Sequence, residues 1–375
     1  MDSPLIFYNM IINIIQDLAT PHNNVLISEF KKYNNIKINL WYTKEVDKDR
    51  YPWSTNITHE HFQASLYGEK LNLKFIKYLL LHPKEKYVVV GWMNNNTRLL
   101  HVLFFILRRK FNHWTDFPNP EIDKFRRGQN IFRNLSYTML KYSKCNIFCV
   151  GKSTMDYFYR LGFNADRIIN LPIFVELNNN LSTKNSRKYI CEKFQIPHDK
   201  FLIIAGSRLI YEKGFDLLIE SISLINIEKQ NNLFLVIVGS GPEKNNLNIL
   251  IQSLNLTKRV KLFDWMSISD FKSLISSSDL FVQPSRFDSY GGTILGMSLG
   301  VPVIGSLESG AAFDRIIHGE NGFLYRANDI SALSKYICIL YNDDNIRNKF
   351  AYESLRTASN WPPELGSQIL IKNCI

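Results

Sequence analysis

Long apolar runs are missing from this chain of 375 residues. None reaches the roughly 18 residues that a membrane-crossing helix requires. The two best stretches, Pro4–Ile15 and Leu99–Leu107, are interrupted or short. Met1-Asp2-Ser3 opens without a basic segment or a small-residue cleavage site, so no secretory leader is expected and a cytoplasmic location is. Cysteine is scarce and scattered, at Cys145, Cys149, Cys191, Cys338 and Cys374. That odd, dispersed set excludes a disulfide framework and suits buried, reduced thiols. Cys145 and Cys149 stand four apart, but no second pair or histidine cluster completes a zinc site. Asp47-Lys48-Asp49 has the Asp-x-Asp spacing of a metal motif, and it lies in a polar loop with no apolar strand before it. We expect exposed charge there and no catalytic metal. Internal repeats and low-complexity tracts are absent too.

What is present is a globular composition, 45% apolar, long enough for two domains with full cores. The net charge of +11 is one-sided. Residues 1–175 hold 24 Lys+Arg against 14 Asp+Glu, or +10, and residues 176–375 hold 21 against 20, or +1. Arg108-Arg109-Lys110 and Arg126-Arg127 lie in the basic half. Such a field attracts an anionic membrane. Nucleic acid is not expected, because no nucleic-acid motif accompanies the charge.

Strand and helix patterns alternate along the chain. Strands are expected at Leu5–Ile12, Ile36–Tyr42, Tyr87–Gly91, Phe111–Thr115, Ile147–Val150 and Arg167–Leu171, with helices at Val25–Lys32, Asn72–Leu81, Arg98–Lys110, Ile131–Tyr142 and Thr154–Leu161. Gln16–Asn24 reads as a loop, and residues 43–66 show no firm pattern. Residues 173–199, rich in Asn, Ser and Lys, read as the linker and entry to a second domain. There the strands Phe201–Gly206, Leu233–Val238, Val260–Phe263 and Leu280–Val282 alternate with the helices Asp216–Leu224, Lys244–Leu254 and Ile268–Ser276. This is an α/β pattern of two parallel sheets, each covered on both faces. The expected domains are 1–172, 173–358 and a terminal segment 359–375.

Residues suited to chemistry gather after the strands of the second half. Strand Phe201–Ala205 ends at Gly206, and Arg208 and Lys213 follow in GSRLIYEKGFDLLIES. Loops at the C-terminal ends of parallel strands bind ligands, and two cations five residues apart suit a diphosphate. Taken alone they also suit an ordinary solvated loop. Gly239-Ser240-Gly241-Pro242-Glu243 follows Leu233–Val238; it is neither a phosphate loop nor a full dinucleotide fingerprint. Val260–Met266 ends in Trp265 and Met266. PSRFDSYGG then carries Asp288, Tyr290, Gly291, Gly292 and Thr293 into a helix start, a place for anions. In the first half, His113 and Asp116 sit in NHWTDFP and His22 in an early loop. A histidine near neutral pKa can orient or deprotonate a hydroxyl.

The stretch PSRFDSYGG…GVPVIGS…GAA…HGENGFL resembles the donor-site region of the retaining GT-B glycosyltransferases, family four type. That resemblance implies two Rossmann-like domains facing each other across a cleft, the terminal segment being a helix that packs back on the first domain. It implies a sugar moved with retention from a nucleotide-diphosphate sugar, a co-substrate and not a bound cofactor, to a glycan or lipid-linked acceptor. Arg208 and Lys213 match the family's diphosphate pair, and Asp288 its first acidic residue, which binds sugar hydroxyls. Gly206, Gly239, Gly241, Trp265, Met266, Tyr290, Gly291, Gly292 and Thr293 would line the nucleotide, and His113 would serve the acceptor. The family's ribose-binding glutamate, eight residues after Asp288, is Gly296 here, and no carboxylate occurs between Asp288 and Glu308. Two other classes therefore stay open: a donor-binding relative without turnover, and a sugar-nucleotide epimerase of similar fold.

Overall fold

The computed structural model of the chain describes residues 10–18, 20–44, 63–66, 72–91, 95–118, 127–177, 184–225 and 231–374. It divides into two units, Met1–Phe174 with Pro363–Ile375, and Val175–Pro362.

In the first unit a sheet runs in the order β3-β2-β1-β4-β5-β6-β7. Its strands are β1 (Met10–Gln16), β2 (Ile36–Tyr42), β3 (Gln63–Leu66), β4 (Lys86–Val90), β5 (Phe111–Thr115), β6 (Cys145–Cys149) and β7 (Ile168–Asn170). Every pairing is parallel. Parallel strands lose both faces to helices, which is why β4 and β6 are nearly continuous apolar runs. One face packs Phe75, Leu79, Leu100, Phe104 and Phe158 against Ile15, Val89, Phe111 and Ile147.

Three segments depart from the sequence reading. The Gln16–Asn24 loop contains the start of a helix, Pro21–Ser28, with Pro at its first position and Thr20 Oγ1 accepting from the Asn23 N–H at 3.2 Å. His22 thus lies in a helix. β3 forms inside the stretch that showed no pattern, and the 173–199 linker holds the helix Lys184–Lys193. Asp47-Lys48-Asp49 and the start of the expected first strand lie outside the described residues.

Residues Pro363–Cys374 form a helix that belongs to the first unit. A side chain at Gly366 would strike the Phe174 ring and Leu26, so the helix lies flush against both. Asn112 Nδ2 donates to Cys374 Sγ at 3.2 Å, and Asn146 Nδ2 to the Asn373 carbonyl at 3.2 Å.

In the second unit the order is β10-β9-β8-β11-β12-β13, again all parallel. The strands are β8 (Phe201–Gly206), β9 (Leu233–Val238), β10 (Val260–Phe263), β11 (Leu280–Gln283), β12 (Val303–Ser306) and β13 (Phe323–Tyr325). The chain winds outward one way from β8 and the other way from β11. The point where strand order reverses is therefore β8/β11, and their C-terminal ends form the crevice where such sheets bind ligands. Among the described residues no helix is long and apolar enough to cross a membrane.

His113 corrects the sequence reading. It sits within β5, fully buried, with its ring edge-on to the equally buried His101 at 4.8 Å between centroids. Side chains alternate along a strand, and this register turns His113 inward to the helix Asn95–Ile106, so it meets no acceptor hydroxyl. Burial, with His101 beside it, holds its pKa well below the ordinary value. Burial likewise lowers His101 from 6.5 to about 4. Acid therefore protonates these histidines first in the unfolded chain. Stability present above pH 6.5 falls as pH drops toward 4, by about 3 kcal/mol from His101 alone if its shift is fully expressed. Urea titrations from pH 7.5 to 4.5 should show that loss, and His101→Leu should flatten it. An identical slope in the variant would rule His101 out as its source.

Candidate functional site

The loops after β8 and β11 meet at the reversal of strand order. The Lys213 ammonium stands 2.5 Å from Asp288 Oδ2, and both side chains are about nine-tenths shielded. Arg286 grips Asp216 with two hydrogen bonds, 2.7 and 2.6 Å, and donates to the Tyr211 carbonyl at 3.0 Å. Its guanidinium also lies over the Tyr211 ring at 4.1 Å. A backbone bond, Phe287 N–H to the Glu212 carbonyl, completes the seam at 3.0 Å. Gly214 adopts φ +65°, and a side chain there would strike the Pro284 carbonyl. Only glycine permits that approach, which is what brings Lys213 under Asp288.

Arg208 lies five residues before Lys213 in the same loop, half-buried, and no hydrogen bond or ion pair links its guanidinium to the described residues. Among the described residues the crevice thus holds one cation already paired and one without a partner. The third loop, after β9, is knitted to it. Leu209 N–H donates to the Ser240 carbonyl at 2.8 Å, and Glu243 N–H to the Leu209 carbonyl at 3.0 Å. Gly239 has no room for a side chain beside Ser207. Gly206, Gly239 and Gly241 therefore sit together around Arg208.

Asp288 is held from several sides. Gln283, the last residue of β11, donates to Ser285 Oγ at 2.7 Å and to Asp288 Oδ2 at 3.3 Å. Its carbonyl oxygen accepts from the Gly292 N–H at 2.9 Å. That bond corrects one expectation: the Gly292 amide is already occupied by Gln283 and does not face an open anion site. Gln283 was missed in the sequence, where it reads as the end of an apolar strand.

Tyr290 is a second correction. Its side chain is 1% exposed and its hydroxyl accepts from Arg315 Nε at 3.1 Å and Nη2 at 3.0 Å. It anchors the loop inward and lines no ligand surface. Burial pushes its phenol pKa upward, partly offset by Arg315. The Thr293 side chain is fully buried too, and only its backbone lies at the start of the helix Thr293–Ser298.

Trp265 and Met266 are half-buried beyond β10, with Met266 packed on the core beneath. Asp264, just before them, is exposed and pairs with Lys244 at 2.6 Å. At Gly296 a Cβ would come within 3.0 Å of the Phe281 ring, so that position faces the core. Glu308 is exposed, with Oε2 accepting from the Ala327 N–H at 2.8 Å. No group of three or more metal-ligating side chains occurs among the described residues.

Residues 186–356 match the family model described as glycosyl transferases group 1. The capsular polysaccharide biosynthesis glycosyltransferase CapM of Staphylococcus aureus is 29% identical over 211 residues, 56% of this chain and 52% of that one. The O-antigen biosynthesis glycosyltransferase WclY of Escherichia coli is 31% identical over 135 residues, 36% of each chain. The chain thus spans about half or less of the length of these curated relatives. A crystal structure of HepE of Anabaena in complex with UDP is similar in fold, with a TM-score of 0.78 at 17% identity over 97% of this chain and 98% of that one. The crevice between β8 and β11 falls within the matched segment, and residues 186–356 carry the glycosyl transferases group 1 signature in a chain of GT-B fold.

Proposed function

We propose that the chain is a glycosyltransferase that moves a sugar from a nucleoside-diphosphate sugar to a glycan or lipid-linked acceptor in cell-surface polysaccharide synthesis. The observation that carries this reading is the Lys213–Asp288 pair beside the unpartnered Arg208, at the reversal of strand order. A diphosphate leaving group needs its growing charge met by preorganised cations, and these two stand in one loop. Arg208 offers a planar fork to phosphate oxygens, and Lys213 a point charge. Asp288 accepts hydroxyls of the donor sugar while holding Lys213 in place. Two cations can serve the diphosphate without a metal ion, and the sugar is transferred with retention, as the resemblance implies. CapM and WclY, named for capsular and O-antigen biosynthesis, support the polysaccharide class of acceptor.

One observation favours a second reading, a donor-binding protein without turnover. Gly296 presents no carboxylate to a ribose, and its position is backed by Phe281. A thermal-shift panel of UDP, GDP, ADP, TDP and CMP tests the first step. One nucleoside diphosphate should raise the melting temperature of the wild type, with stabilisation of about 2.7 kcal/mol at a hundredfold excess over Kd. Arg208→Ala and Lys213→Ala should abolish that shift. Silence from all five nucleotides would sink the donor site, and binding without sugar transfer would select the second reading.

The same proposal places the chain at the inner face of an anionic membrane. Leu80 and Leu81 end one helix and Ile106 another, with Leu107 directly after it, and the four are exposed by 41, 65, 67 and 45%. Arg109 joins the two helix ends by donating to the Leu79 and Leu80 carbonyls at 2.6 and 2.9 Å. Lys77, Lys84, Arg108 and Lys110, all exposed, lie within four residues of them in sequence, and residues 73–84 and 95–115 contain no acid. Apolar side chains flanked by cations suit an anionic lipid interface. Sedimentation with phosphatidylglycerol vesicles should retain the wild type at low salt and release it at high salt. Leu81→Glu with Ile106→Glu should lower binding about tenfold; equal retention would remove this face from the proposal.

A further inference from the structure

Arg315 is a buried cation with no acidic partner among the described residues. It is 5% exposed and ends the short helix Gly310–Arg315. Two of its guanidinium nitrogens donate to the Tyr290 hydroxyl, and the third, Nη1, is buried without a partner. Its flat face lies on the Trp361 ring, 3.5 Å from the centroid. An arginine buried without a carboxylate is costly unless its surroundings use it. Here the indole supplies a cation–π face and the phenol an acceptor.

The two residues it joins stand at places of different importance. Tyr290 lies two residues after Asp288, and the whole loop is tied through it. The Tyr290 N–H donates to Asp288 Oδ1 at 3.3 Å, and its carbonyl accepts from the Ala311 N–H at 2.6 Å and from Ser309 Oγ at 3.1 Å. Trp361 is the second-last residue of the second unit, directly before Pro362 and the return to the first unit at Pro363. It follows the helix Asp344–Ser359, whose Thr357 and Ser354 fasten to Asn321. Asn321 in turn holds the Arg315 carbonyl at 2.9 Å. The guanidinium is thus fixed from its own backbone, from the end of that helix and from the loop.

We propose that Arg315 is a positioning residue that sets the Asp288–Gly292 loop from the crossover tryptophan, through Trp361, Arg315 and Tyr290 in series. It rests on the reading of that loop as the donor site, and it adds a route by which the chain's exit from the second unit governs donor binding. The fork of Arg315 fixes the phenol oxygen in two directions, so a tilt of the indole moves Tyr290 and, two residues away, the carboxylate that holds Lys213.

Hydrogen exchange of the nucleotide-free, full-length chain tests this directly. Exchange in a peptide covering 285–295 should rise about tenfold in Trp361→Ala and in Tyr290→Phe, while β8 and β9 keep their protection. Trp361→Phe keeps an aromatic face and should restore the wild-type rate. Tyr290→Phe removes a single oxygen, so the comparison holds even if Trp361→Ala unfolds. A loop that exchanges at the wild-type rate in both Tyr290→Phe and Trp361→Ala, or in Tyr290→Phe alone if the alanine variant is unfolded, overturns the proposal. Titration with the five nucleotides then runs separately. The Kd of whichever diphosphate binds should rise about tenfold in Trp361→Ala or Tyr290→Phe and recover in Trp361→Phe. Should the wild type bind none of them, the donor reading fails while the exchange data still decide the role of Arg315.

Discussion

An ammonium and a carboxylate, both nearly shut off from water, meet at the reversal of strand order in the second unit. Either charge alone in that place would cost several kcal/mol, and removing one partner from a buried pair typically costs about 3–5 kcal/mol. Lys213 belongs to the loop after β8 and Asp288 to the loop after β11, so their attraction closes one loop on the other. The left-handed turn at Gly214, the Gln283 amide and the Arg286–Asp216 fork all serve to keep that pair in register. On the function proposed above, an incoming diphosphate meets one cation already satisfied, Lys213, and one, Arg208, that has no partner among the described residues. Binding would then redistribute charge among three side chains.

The sheets were legible in the sequence because parallel strands announce themselves. Phe201–Gly206, Leu233–Val238 and Val260–Phe263 are uninterrupted or nearly uninterrupted apolar runs, and they form strands with those bounds. The first turn of the helix Pro21–Ser28 was not legible, whereas Val25–Ser28 lies inside the helix expected at Val25–Lys32. Pro-His-Asn-Asn carries loop composition, and only the Thr20 cap and the tertiary packing of Leu26 and Ile27 make it helical. β3 is four residues long and gives no period. Motif residues Lys213 and Asp288 could be named but their pairing could not, since 75 positions separate them. His113 shows the converse error. The spacing that puts a histidine near a strand end does not say which way it faces, and here it faces the core.

Gly296 is best understood through Phe281. Where the family resemblance leads one to look for a carboxylate, the space beneath the helix Thr293–Ser298 is taken by an aromatic ring, and Gly296 lets the helix settle on it. Tyr290, an aromatic residue of the motif, is likewise committed to the interior, with its hydroxyl on Arg315. This loop is held by its interior side chains, and Asp288, itself nearly buried, meets Lys213 at the crevice.

The membership of residues Pro363–Cys374 in the first unit also orders events in time. Leu370, Gly366 and Cys374 complete a core whose other members end at Phe174. Between them lie 188 residues of the second unit, Val175–Pro362. On a ribosome that interval lasts on the order of ten to forty seconds. During that time all seven strands of the first sheet have been made but the helix that meets Asn112, Asn146 and Phe174 has not, while the second unit, continuous in sequence, emerges whole. The unit begun first is thus the unit finished last.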